Sequence, residues 1–151
     1  MKNVSVLNSI TTIFALMFVL CCSGAQAADT NENKAVAQRV RVVFQVSDDD
    51  AKKWNLALNN VKNIQQELGA ANTDIEVVAY GPGIGMLKFE STVAERVDEA
   101  IKAGVKIVAC ENTMKAQKLG KPDMMSTIGY VPAGVVEIIR KQNEGYAYIR
   151  P

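Results

Sequence analysis

The chain reads as an α/β protein with a five-stranded, mainly parallel, doubly wound sheet. Two observations carry this. Between Arg39 and Pro151, runs rich in β-branched residues alternate with stretches of helical apolar spacing. The run Val105 to Ala109 is also almost wholly apolar, as expected of a strand covered on both faces by crossover helices. Because β-α-β crossovers are right-handed and bury both faces of a sheet, this order predicts flavodoxin-like layering in a single domain.

The elements follow in order. Val40 to Val46 is the first strand, bounded by Ser47-Asp48-Asp49-Asp50, whose acids suit a helix start. Leu56, Leu58, Val61, Ile64, Gln65 and Leu68 place an approximately helical face on Ala51 to Leu68, and Gly69 stops it. Thr73 to Tyr80 is the second strand and runs into the turn Gly81-Pro82-Gly83-Ile84-Gly85. Val93, Val97, Ala100 and Ile101 mark a second helix from about Thr92 to Ala103, ended by Gly104. The third strand, Val105 to Ala109, leads to Cys110. Asn112 and Thr113 suit the cap of a short helix through Leu119, broken by Gly120-Lys121-Pro122. A short strand near Ile128 to Val131 comes next. Ala133 to Glu144 is the last helix, with Val135, Val136, Ile138 and Ile139 as its apolar residues. Gly145 then ends it before a final strand, Tyr146 to Ile149.

Residues 1–27 have the pattern of a cleavable secretory signal: Lys2, an apolar stretch from Ile10 to Leu20, and small residues up to Ala27. The stretch is too short for a retained membrane anchor. Residues 28–38 are polar and without periodicity, a flexible leader, and residues 39–151 form the domain. The exported chain is expected to be soluble and without membrane attachment. It would carry 16 basic and 16 acidic residues, since residues 1–27 contain one lysine and no acid. Neutrality without a basic cluster argues against nucleic acid as a partner.

Cys21 and Cys22 leave with the signal, so Cys110 stands alone and no internal disulfide can form. The chain has no histidine, which removes Cys-His and Ser-His-Asp catalysis and imidazole metal sites. In open α/β sheets, ligands gather beyond the carboxyl ends of the strands. That rule selects Ser47–Asp50, Gly81–Gly85 and Cys110–Thr113. A thiol between a strand end and a helix start is placed to have a lowered pKa, although Glu111 beside it opposes a thiolate if turned toward the sulfur. The competing reading is a small apolar residue finishing a buried strand. The glycine cluster has neither dinucleotide nor phosphate-loop spacing, so no cofactor is expected. The three aspartates suit a cap better than a cation site, and no metal is expected. Met114, Met124, Met125 and Trp54 suit packing.

Seven segments together resemble one family. They are Val-Val-Phe-Gln-Val-Ser-Asp-Asp-Asp ending at Asp50, Trp54-Asn55, and Ala57-Leu58-Asn59-Asn60. Glu76-Val-Val-Ala-Tyr-Gly-Pro-Gly and Gly104-Val-Lys-Ile-Val-Ala-Cys-Glu-Asn-Thr-Met follow, then Val131-Pro-Ala-Gly-Val-Val-Glu and Gly145-Tyr-Ala-Tyr-Ile-Arg-Pro. Their order and spacing over residues 39–151 resemble the DsrE/DsrF-like family, related to sulfur relay. The resemblance implies a DsrE-like fold, homo-oligomers such as trimers or hexamers, and a cysteine that carries a persulfide between a sulfur donor and an acceptor protein. Cys110 is the position onto which that role carries, with Gly81, Gly83, Asn112 and Thr113 shaping its pocket. Family sulfur carriers of the best-known type work in the cytoplasm, whereas the signal here implies a periplasmic protein. The expected function is therefore a periplasmic sulfur-carrier or thiol-redox protein. The alternative is a non-catalytic oligomeric binding or assembly protein, with Cys110 structural and the two terminal tyrosines buried at a subunit contact.

Overall fold

In the computed structural model, which describes residues 39–151, the β-rich runs form one sheet of five parallel strands. These are β1 (Val40–Val46), β2 (Thr73–Ala79), β3 (Lys106–Cys110), β4 (Gly129–Val131) and β5 (Ala147–Ile149). Their order across the sheet is β4-β3-β2-β1-β5. The helices between them are α1 (Ala51–Leu68), α2 (Ala94–Lys102), α3 (Glu111–Ala116) and α4 (Gly134–Asn143). The expected signal and leader lie outside the described residues. No helix among the described residues is long and apolar enough to cross a membrane.

The strand order dictates where the helices go. From β1 to β4 the chain steps in one direction, so right-handed crossovers stack α1, α2 and α3 on one face. From β4 it must return past three strands to pair β5 with β1, and that reverse crossover puts α4 on the opposite face. Strands covered on both sides need no alternation. Val42, Val43 and Phe44 are all buried, with Val42 and Phe44 toward α1 and Val43 toward α4.

Local chemistry sets the boundaries. The Asp50 carboxylate accepts from the Lys52 amide at 2.8 Å and caps α1, as the acidic run suggests. Gly69 and Gly145, which follow α1 and α4, have φ of 82° and 86°, a region that glycine enters without Cβ strain. The turn after β2 winds into a 3-10 helix over Gly81–Leu87, burying Ile84, Met86 and Leu87. Trp54, Met114, Met124 and Met125 are buried in the core on the α1 side.

Three expectations from the sequence are corrected. On α1 the buried stripe is Trp54, Ala57, Leu58 and Val61, spaced by three and four residues. Leu56 lies off that stripe and Leu68 ends the helix, and both are exposed. On α3 the helix begins at Glu111 with Cys110 in the capping position, so Asn112 and Thr113 fall inside the first turn. The largest correction concerns α4. Val135, Val136 and Ile139 are more than half exposed, and the residues turned to the sheet are Gly134, Glu137, Ile138 and Lys141. The stripe spaced by three and four residues contains two charged side chains, of which Lys141 pairs with Glu76 of β2.

Candidate functional site

Parallel strands bring their following loops to one end of the sheet, and the three loops selected from the sequence meet there. Gly83 seats the second loop on the first: a side chain at this position would collide with the Val46 carbonyl and come within 2.8 Å of the Ser47 nitrogen. The Gly81 amide donates to Thr113 Oγ1 at 2.9 Å, and Gln117 Nε2 donates to the Gly81 carbonyl at 3.2 Å. Loop two is thereby tied to loop three.

The aspartate loop is engaged within the chain. Asp48 pairs with Lys53 at 3.2 Å and Arg150 at 3.6 Å, and its carbonyl accepts from Trp54 Nε1 at 2.7 Å. The Lys53 ammonium, with Arg150, holds the Asp48 carboxyl below the ordinary aspartate range.

Cys110 ends β3 on the face that α4 covers, and it is 5 % exposed. A side chain at Gly134 would meet Tyr80 Cβ at 3.0 Å and Cys110 Cβ at 3.2 Å. Glycine at that position therefore lets the first turn of α4 rest directly on the cysteine and the tyrosine. Burial by itself would raise the thiol pKa. The Thr113 side chain and the amides of Gly134, Thr113 and Asn112 outweigh it, so the thiol lies below its ordinary value.

Not all of these donors count equally. Thr113 Oγ1 already accepts from Gly81, which leaves its own proton to donate to the sulfur. The Asn112 amide is committed to the Pro132 carbonyl at 3.1 Å, so among the amides Thr113 and Gly134 matter most. The sulfur makes no full capping bond to α3, and its N–H neighbours act as oriented dipoles at longer range. Glu111 is exposed to solvent.

Of the four residues expected around Cys110, Thr113 and Gly81 are joined to it through one hydrogen-bonded chain. Gly83 serves the join to β1, and Asn112 is exposed with its amide bonded to Pro132. Tyr80 and Gly134 were missed. Their signal was present in Pro132-Ala133-Gly134, small residues opening a helix, but only the strand order shows which strand end that helix crosses. Of the two terminal tyrosines, Tyr146 is buried within its own chain, its hydroxyl donating to Asp74 at 2.7 Å. Tyr148 is 41 % exposed and donates to Gln45.

A groove of about 170 Å³ lies between α1 and α2, lined by Leu58, Val61, Lys62, Gln65, Arg96 and Glu99 among others. It is on the other face of the sheet, shares no residue with the cysteine site and contains no thiol, so thiol chemistry belongs to the strand ends.

Comparison with solved structures agrees with this architecture. A protein of unknown function from Methanobacterium thermoautotrophicum is 38% identical, with a TM-score of 0.71, over 74% of this chain and 99% of that one. A conserved protein of unknown function from Bacteroides thetaiotaomicron shares the fold at 12% identity and a TM-score of 0.61, over 73% of this chain and 93% of that one. No curated protein matches the chain. The model of the DsrE/DsrF-like family matches residues 38–151, which takes in every strand and helix of the described residues and the cysteine site, and the chain belongs to that family.

Proposed function

We propose that this protein carries sulfur on Cys110 as part of a sulfur relay. The observation behind the reading is the thiol itself: a cysteine at a strand end, approached by the Thr113 hydroxyl and the first amide of α4, in a chain of this family. Such surroundings favour the thiolate, the form that attacks sulfur. In the step proposed, the Cys110 thiolate attacks the terminal sulfur of a donor persulfide, R–S–SH. A sulfur–sulfur bond forms to Cys110, the donor's own sulfur–sulfur bond breaks, and the donor leaves as its thiolate. The terminal proton stays with the transferred sulfur. Electrons balance without an added oxidant, and the reverse exchange hands the sulfur to an acceptor thiol.

The same proposal places the mature chain, after loss of residues 1–27, in the periplasm as a homo-oligomer, a trimer or hexamer. The signal-like segment supports the first part. Val135, Val136 and Ile139, exposed side by side on α4, support the second.

The test is intact mass after exposure of the folded protein to a persulfide donor. A gain of one sulfur, absent in Cys110→Ser, is expected, together with alkylation of Cys110 at neutral pH. No sulfur gain, with labelling only on unfolding, would overturn the reading.

The burial of Cys110 favours a second reading, an assembly module in which the cysteine is structural. It predicts an oligomer broken by Ile139→Asp and unchanged by Cys110→Ser, measured by sedimentation.

A further inference from the structure

Beneath α4, away from the cysteine, lies a cluster of charge that sulfur transfer does not use. Glu76 of β2 is 3 % exposed, and its Oε2 pairs with Lys141 Nζ at 3.2 Å. Its other oxygen, Oε1, is buried and has no hydrogen-bond donor among the described residues. A carboxylate oxygen left so in the interior keeps the full penalty of its lost hydration, so the arrangement calls for an explanation.

A second carboxyl, that of Glu137 on α4, stands at the same ammonium, Lys141 Nζ being 3.2 Å from Glu76 and 4.0 Å from Glu137, and the two carboxyls raise and lower each other's affinity for a proton. Two carboxylates cannot bond to each other, but a carboxylic acid and a carboxylate can. The remaining groups decide which of the two holds the proton. Arg140 grips Glu137 from the solvent side and also reaches Glu144. Lys141, 5 % exposed, is 4.0 Å from Glu137 and 3.5 Å from Glu144. The Tyr146 ring lies 4.8 Å from Lys141 Nζ, and its hydroxyl is committed to Asp74. Asp74 is paired with Lys106 of β3, and Arg41 of β1 donates to the Glu144 carbonyl at the exposed rim. Glu137 thus has a guanidinium to keep it ionised. Glu76 shares a single ammonium with two other carboxylates.

We propose that Glu76 and Glu137 share one proton, carried on Glu76 Oε1, and that this proton seats α4 against the sheet and so positions its first turn over Cys110. Glu76 is a positioning residue in this arrangement, since it reaches the thiol only through the helix. The link is rigid-body: Gly134, which rests on Cys110, stands one turn before Glu137 and two before Lys141 on the same helix face. Loss of the proton sets two carboxylates against each other beneath the helix. The whole helix then loosens, and the cover over the thiol loosens with it.

The inference rests on Cys110 being the working site, but its readout does not require sulfur. Amide hydrogen exchange of α4 and α1 in the folded protein is followed from about pH 5 to about pH 9, corrected for intrinsic rates, alongside the infrared band of protonated carboxyl groups. Above the point where the shared proton leaves, α4 protection falls by up to about tenfold per pH unit, the limit for one linked proton, while α1 holds. In Glu76→Gln, whose amide donates to Glu137 at every pH, α4 protection stays flat. Over the same range Cys110 alkylation in the unaltered protein rises above that of a free reference thiol, and in Glu76→Gln this excess is absent. A protonated-carboxyl band present at neutral pH and absent from Glu76→Gln supports the shared proton directly. Absence of the band in the unaltered protein overturns it, whether or not the variant folds. So does an identical pH dependence of α4 and α1. A protein that takes up no sulfur yet shows the α4 transition would end the carrier reading and leave this one standing. A flat α4 in a protein that takes up sulfur would do the reverse.

Discussion

One face of the sheet is sealed by hydrocarbon, the other by a single helix that brings charge with it. Against α1, α2 and α3, the side chains of Phe44, Val77, Ala79, Ile107 and Ala109 meet Trp54, Leu58, Val61 and Val97, with nothing to titrate. Against α4, the apolar cluster is only Val43, Val78, Ile138 and Tyr146, flanked by Tyr80 and Val108. Also buried on that face are Glu76, Lys141, Glu137 and, at the strand end, Cys110. The first face has the close-packed apolar contact that holds a domain together. The second gives up apolar area to hold ionisable groups at fixed distances. Stability should therefore follow the first face and pH response the second.

Breaking that contrast begins with the largest effect. Phe44→Ala empties the centre of the α1-side core and should cost about 3–5 kcal/mol in denaturant unfolding. The slope of stability against pH should not change, because no titrating group lines the cavity. A change in that slope would mean that the faces are not independent.

Gly134→Ala comes next. Its added methyl meets Tyr80 and Cys110 near 3 Å, so it should cost about 1–3 kcal/mol and lift the first turn of α4. Alkylation of Cys110 should quicken even as stability falls. A slower reaction would show that contact with the Gly134 amide matters more than access.

Tyr146→Phe removes the hydroxyl that donates to Asp74, at a cost of about 1 kcal/mol. Burial would raise the Asp74 carboxyl, but the Tyr146 hydroxyl, Lys106 and Lys141 outweigh it and hold the pKa below the ordinary aspartate value. A depressed acid gives stability that is present above its unfolded pKa and lost as pH falls through the folded one. The variant should lose less stability on acidification than the unaltered protein. Glu76 has the opposite sign. Burial and Glu137 raise its pKa, so its contribution is complete below the ordinary glutamate value and declines as pH rises through the folded one. Glu76→Gln should flatten that alkaline decline.

The smallest change in stability, and the sharpest probe of the site, is Thr113→Val. It should cost about 1 kcal/mol, because the Gly81 amide loses its acceptor, and it should raise the Cys110 pKa. Alkylation at neutral pH then slows, and Thr113→Ser restores it.

What could be read from the sequence follows the same division. The five strands and the helices α1, α2 and α4 of the described residues were legible within one or two residues, because β-branched runs, glycine stops and the Asp50 cap are local signals, whereas α3 ends three residues before the expected Leu119 and the turn after β2 is a 3-10 helix. Cys110 and its strand-end position were legible too, since a parallel sheet gathers its loops at one end. The buried face of α4 was not. Val135, Val136 and Ile139 give it the appearance of an apolar stripe, and only the ion pair to Glu76, 65 positions before Lys141 in the chain, turns Lys141 inward. Gly134 and Tyr80 were hidden for a related reason: their meeting over Cys110 depends on which way the last crossover runs.

Both outer strands are three residues long, β4 leading directly into Pro132 and β5 reaching Pro151 two residues later. A neighbouring chain therefore finds too few open amides and carbonyls to add itself as a further strand. Extension of the sheet by a neighbouring chain is thereby blunted at both edges.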